Sequence, residues 1–111
     1  MRRSLLFPAK LVTAGTVVLW TAAASCAGLA TVSQRGRAFA VQAVQVARGD
    51  IVRFVNDDAF LHQVFVQSPA FNYESEEQEP GKSVDVRFIS AGTFAVRCHI
   101  HPKMLLQVEA R

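Results

Sequence analysis

From residue 38 to the C-terminus the chain alternates apolar and polar side chains with a period of two, and no apolar stripe recurs at helical spacing. That pattern gives strands with one buried face, so the folded part is expected to be all-β. The first strand is read as approximately 39–46, with Phe39, Val41, Val44 and Val46 in its apolar set. Arg48-Gly49-Asp50 then turns the chain into Ile51-Val52-Arg53-Phe54-Val55, which Asn56-Asp57-Asp58 ends. A strand over 62–67 sets His62, Val64 and Val66 on one face and Gln63, Phe65 and Gln67 on the other. Residues 68–82 include Glu74-Ser75-Glu76-Glu77-Gln78-Glu79 and close with Pro80-Gly81, so a solvated loop is expected there. Residues 83–88 alternate again, and a turn at Ser90-Ala91-Gly92 leads to 93–98, where Phe94, Val96 and Cys98 share the buried face while Arg97 and His99 point outward. A last strand carries Met104, Leu106 and Val108 on one side. Several short strands at near-regular spacing argue a sandwich or barrel.

At 111 residues the chain has room for one such domain. Its net charge of +3 comes from the head MRRSLLFPAK, because residues 31–111 hold nine basic and nine acidic side chains. A neutral domain lacks the electrostatic footprint of a nucleic-acid binder. The basic head precedes an uncharged tract, 11–34, in the manner of a secretory signal. A signal over 1–30, cut near Ala30, is the preferred reading, with the domain over 31–111. Retention of 11–34 as a membrane anchor is one alternative, since about 20 apolar residues span a bilayer. Lipidation at Cys26 is another, although the usual Leu three places earlier is absent.

Loss of the leader leaves Cys98 as the only thiol in an oxidising compartment, where cysteines are ordinarily paired. A buried core cysteine, an intermolecular disulfide, a Cys26–Cys98 bridge if the leader stays, or a metal-bound thiolate each account for the state of Cys98. The neighbours favour the last. Cys98-His99-Ile100-His101-Pro102-Lys103-Met104 sets a thiolate, an imidazole and a thioether at C-x2-H-x2-M spacing where two strands join. Thiolate and thioether are soft ligands and imidazole is borderline, a mixture that suits copper better than zinc, calcium or magnesium. His62, on a buried strand face, is available as the second imidazole. A domain of about 80 residues without a disulfide is marginal on its apolar core alone, and a bound metal adds stability.

With these residues the chain resembles the cupredoxins, or blue copper proteins. The segment 54–64, FVNDDAFLHQV, looks like the plastocyanin-type strand and loop that supplies the first histidine, and 98–104 looks like the short ligand loop of amicyanin. The resemblance implies a Greek-key β-sandwich holding one type 1 copper ion, with His62 and His101 as imidazole ligands, Cys98 as the thiolate and Met104 as the axial ligand. It also implies an exported or periplasmic monomer that carries single electrons, with a periplasmic dehydrogenase as donor and a c-type cytochrome as acceptor. Docking would occur where His101 reaches the surface, with Pro102, Met104 and Leu105 as an apolar rim. The pattern departs from its relatives at Leu61 and Gln63, where plastocyanin-like chains carry Pro and Asn. That Asn ties the two ligand loops together.

Taken singly, His62 reads as a core histidine and Met104 as core packing; their joint occurrence with Cys98 and His101 is what points to a metal. His99 reads as a surface histidine, with a role at an electron-transfer surface or as an accessory ligand as minor readings. The acidic run reads as a solvated loop, with a docking patch for a basic partner as the alternative. No nucleophile, general base or open coordination position stands out, so a carrier is expected in preference to an enzyme. A copper-delivery or copper-tolerance protein and a metal-free interaction module are the competing classes.

Overall fold

The computed structural model describes residues 14–16 and 28–111, and every described element is a strand. In chain order these are β1 (Leu29–Gln34), β2 (Ala43–Val46), β3 (Ile51–Asn56), β4 (Val64–Gln67), β5 (Asn72–Glu74), β6 (Ser83–Arg87), β7 (Gly92–Cys98) and β8 (Leu105–Ala110). They form two sheets, a smaller one ordered β1-β3-β6 and a larger one ordered β2-β8-β7-β4-β5. Each is mixed: β1 runs parallel to β3 and β2 parallel to β8, whereas the other pairs are antiparallel. No helix among the described residues is long and apolar enough to cross a membrane.

The inward side chains of both sheets meet in one core. Val32, Val52, Phe54 and Val86 come from the smaller sheet; Val46, Val64, Val66, Phe94, Val96, Leu106 and Val108 come from the larger. Aromatic rings fill the wider gaps. Phe71, Phe88 and Phe94 lie with centroids 5.5–5.8 Å apart, and Phe39 meets Phe54 edge-on at 5.7 Å. Period-two alternation thus does what it implies, removing one face of each strand from water.

Two expectations need correction. Residues 39–46 are not one strand: Phe39 makes only an isolated bridge to Gln34, Val41 is exposed, and pairing resumes at Ala43. A tight reversal at residues 35–38 ends β1, after which the chain crosses from the smaller sheet to the larger, bonding to β1 through the Ala40 N–H and to β8 through the Gln42 carbonyl without a continuous ladder. β1 itself begins at Leu29, just ahead of the boundary drawn at residue 30. Leu29 and Ala30 pair with Ile51 and Val52, and the Gly28 carbonyl accepts the Ile51 N–H. The signal or anchor character of the leader and the lipidation of Cys26 fall, apart from residues 14–16 and 28–30, outside the described residues. The second correction is in 68–82, which contains β5 and two buried polar residues, Ser75 and Gln78, although all four of its glutamates remain exposed.

The Pro80-Gly81 turn docks this segment on β3, with the Gly81 N–H donating to the Asn56 carbonyl at 2.8 Å. Gly81 has φ +80°, and a Cβ there would meet nothing within 4 Å. Gly81→Ala therefore adds backbone strain without a clash. The expected cost is about 1 kcal/mol in urea unfolding, and an unchanged midpoint would show that the turn relaxes freely.

Candidate metal centre

Cys98 is the last residue of β7, in register with Val64 of β4, and is 1% exposed. His62, which is fully buried, stands just ahead of β4, held by a two-way backbone bridge to Gln78. His101 lies in the turn between β7 and β8, where the Met104 N–H donates to its carbonyl at 3.0 Å. The three side chains converge at one end of the sandwich. The Sγ of Cys98 is 3.6 Å from Nδ1 of His62 and 4.0 Å from Nδ1 of His101, and the donor atoms all lie within 4.8 Å of one another. Among the described residues this is the one such His, Cys, Asp or Glu cluster. Its imidazole nitrogens and sulfur form a donor set that fits a copper ion.

Met104, in the last position before β8, is 2% exposed and belongs to the core cluster. It is thus no part of an exposed rim, as alternation along Met104, Leu106 and Val108 turns it inward. The exposed apolar side chains nearest the ligands in sequence are instead Leu61, Ile100 and Leu105, each at least 36% exposed, and Pro102 is exposed as well.

Gln63 answers the departure noted at its position. Its backbone N–H points at Cys98 Sγ, 3.4 Å away, and its carbonyl accepts the His99 N–H at 3.0 Å. The two ligand segments are therefore tied by main-chain groups that any residue supplies. The Gln63 side chain turns the other way and donates to the Ser75 carbonyl at 2.9 Å.

Several further residues surround the cluster. Asn56, fully buried, donates from Nδ2 to the carbonyls of Phe60 and Gln78 and accepts the Asp58 N–H on Oδ1. Gln78 donates to the Phe54 carbonyl and accepts from Gln34 Nε2, linking the site to both β1 and β3. Phe60 packs against both imidazoles, 5.5 Å from His62 and 5.1 Å from His101, and the Arg37 guanidinium lies over its ring, 4.9 Å from the centroid. Asp58 lies 2.7 Å from Nε2 of His62.

The electrostatics follow from these contacts. Desolvation is the largest influence on His101 and lowers its pKa, and the neighbouring His62 and Arg37 act in the same direction against a smaller opposing effect of Asp58. A lowered pKa keeps the ring neutral, as metal binding requires. Burial raises the pKa of Asp58, but hydrogen bonds from His62, Gly36 and Arg37 outweigh it, so the net shift is downward.

His99 points outward, as alternation implies. Its ring stacks on Phe65 at 3.8 Å with a 9° tilt, and its Nε2 lies 3.1 Å from Glu74 Oε1. It stands apart from the His62–Cys98–His101 cluster.

No family model and no curated protein sequence matches the chain. Solved structures do. A Cu(I) structure of an amicyanin variant aligns with a TM-score of 0.70 at 20% identity, covering 78% of this chain and 85% of its own. Another variant of amicyanin, in the oxidised state, gives 0.70 at 22% identity over 76% and 83%. The Cu-containing nitrite reductase of Thermus scotoductus gives 0.66 at 24% identity over 74% of this chain, which spans only 22% of that enzyme. The chain therefore has the cupredoxin-like β-sandwich seen in amicyanin, with a His62–Cys98–His101 cluster that fits copper at one end of it.

Proposed function

We propose that this is an exported electron carrier in which His62, Cys98 and His101, with Met104 as a fourth and weaker donor, would hold one type 1 copper ion. The observation that carries the reading is the convergence of two imidazole nitrogens and one buried thiol sulfur within 4.8 Å. A bound copper ion supplies the one-electron Cu(II)/Cu(I) couple. The protein holds the donors in place: Cys98 by its pairing with Val64 of β4, His62 by the Gln78 bridge, and His101 by its turn. A donor set fixed by the fold rearranges little when the charge changes. With all four donors engaged, no coordination position would be left for a substrate, which favours a carrier over an enzyme.

His101 is the half-buried member of the cluster, and the exposed apolar side chains of Leu61, Ile100 and Leu105 accompany it at this end. That face is where redox partners would dock, in our reading a periplasmic dehydrogenase delivering electrons and a c-type cytochrome accepting them. Residues 1–30 would act as the export signal, or as an anchor, for a domain acting as a monomer. Stopped-flow mixing of the reduced copper protein with a c-type cytochrome tests the role. Cytochrome reduction with copper retained is the expected result. Passage of copper itself to an acceptor, without electron transfer, would overturn it in favour of a delivery protein.

The axial assignment has its own test. Met104→Gln should keep copper bound but lower the reduction potential, since the axial ligand tunes a blue site. An unchanged potential in voltammetry would reduce Met104 to core packing.

A further inference from the structure

We infer that Asp58 is a positioning residue for the metal centre, fixing His62 with its ring proton on Nε2 and the lone pair of Nδ1 directed at Cys98. The inference rests on the copper reading above and adds to it a residue outside the ligand set. The geometry divides the imidazole between two neighbours: Nε2 lies 2.7 Å from Asp58 Oδ2, and Nδ1 lies 3.6 Å from Cys98 Sγ. An ionised carboxylate only accepts hydrogen bonds, so the ring nitrogen facing it is the one that keeps its proton. Nδ1 is then left with the free electron pair that a metal requires.

Asp58 is itself held in place from a distant part of the chain. The Gly36 N–H donates to Oδ1 at 2.7 Å and the Arg37 N–H to Oδ2 at 3.2 Å. These two residues form the tip of the β1–β2 reversal, with φ of +66° and +57°. Positive φ at both central residues is the signature of a type I′ turn, and successive N–H groups so arranged make a concave anion seat. Arg37 is the one non-glycine residue with positive φ among the described residues. A non-glycine residue in that conformation needs surrounding structure to hold it there. The Asp58 N–H, in turn, donates to Asn56 Oδ1 at 2.9 Å, which fixes the carboxylate from behind. The turn, the carboxylate and His62 thus form one chain of contacts, and Arg37 of the same turn lies over Phe60, which packs on both histidines.

The carboxylate has a further consequence for the oxidation state. A negative charge on the far side of a ligand ring stabilises the more highly charged oxidised form more than the reduced form, and it raises the basicity of the ring. Asp58→Asn keeps the shape and removes the charge. An amide can turn either its oxygen or its nitrogen toward the ring, so the tautomer is no longer imposed.

The test uses the full chain in two states. In the metal-free protein, long-range proton–nitrogen spectra of the His62 ring should show the proton on Nε2, and Asp58→Asn should give a mixture of tautomers. In the copper-loaded protein, Asp58→Asn should weaken Cu(II) binding about 10–100-fold and raise the reduction potential, whereas Glu76→Gln, at an exposed acidic site in another loop, should change neither. A proton on Nδ1 in the unsubstituted metal-free protein would overturn the inference. So would an Asp58→Asn variant with unaltered tautomer, affinity and potential. If that variant fails to fold, the ring spectrum of the unsubstituted chain decides. If the chain takes up no copper, the functional reading fails, and the same metal-free spectrum still decides the role of Asp58.

Discussion

Cys98→Ser is expected to abolish the intense visible absorption of the Cu(II) protein while leaving the β-sandwich folded. The band arises from charge transfer between thiolate sulfur and Cu(II), and a serine hydroxyl supplies neither the soft donor nor a readily formed anion. The fold should survive because Cys98 is one buried position in a core shared by both sheets, and Ser Oγ can still accept the hydrogen bond that Gln63 N–H now directs at the sulfur. The stability cost should be on the order of 1 kcal/mol, the usual price of a slightly mismatched buried hydroxyl. Absorption spectra and thermal melts of the two proteins separate these effects. A persistent charge-transfer band in the variant would exclude Cys98 as a ligand.

The largest loss of stability from a single polar residue is expected at Asn56. Its side chain is fully buried and satisfies three main-chain groups, the carbonyls of Phe60 and Gln78 and the N–H of Asp58, at 2.8–2.9 Å. Asn56→Ala leaves the Phe60 carbonyl and the Asp58 N–H without these partners, whereas the Gln78 carbonyl keeps the His62 N–H. At about 1 kcal/mol or more per stranded group, the total is about 2 kcal/mol. For a domain of this size that corresponds to a fall in melting temperature on the order of 10 °C. The same three groups belong to the segments carrying Phe60, Asp58 and the Gln78 bridge to His62, so copper affinity should fall with stability. Gln107→Ala, on the exposed face of β8, should stay within about 0.5 kcal/mol. Equal stability of the two variants would show that the Asn56 network is solvated.

Much of this arrangement is legible in the amino-acid order. Strands β3, β4, β6, β7 and β8 follow from alternation, because each buries one face and so must place apolar residues two apart. The inward direction of His62, Cys98 and Met104 follows from the same parity, and C-x2-H-x2-M spacing brings His101 close to Cys98. What alternation cannot report is pairing between distant segments. β1 is masked because Leu29, Ala30 and Val32 continue the apolar tract of the leader, and only pairing with β3 reveals them as sheet. Ser75 and Gln78 sit among glutamates and read as solvated. They are buried because Gln78 finds partners at Gln34, Phe54 and His62, and Ser75 at Val64. Asp58 reads as a strand end until the turn at Gly36 and Arg37 is brought against it, 22 and 21 residues away in sequence.

The most direct test of the central claim is a titration of the metal-free full chain with Cu(II), followed through the visible spectrum. One equivalent should saturate an intense thiolate charge-transfer band that bleaches on one-electron reduction and returns on reoxidation. A weak band of solvated or nitrogen-bound copper, or no uptake at one equivalent, would contradict the assignment of His62, Cys98 and His101 as a blue copper centre.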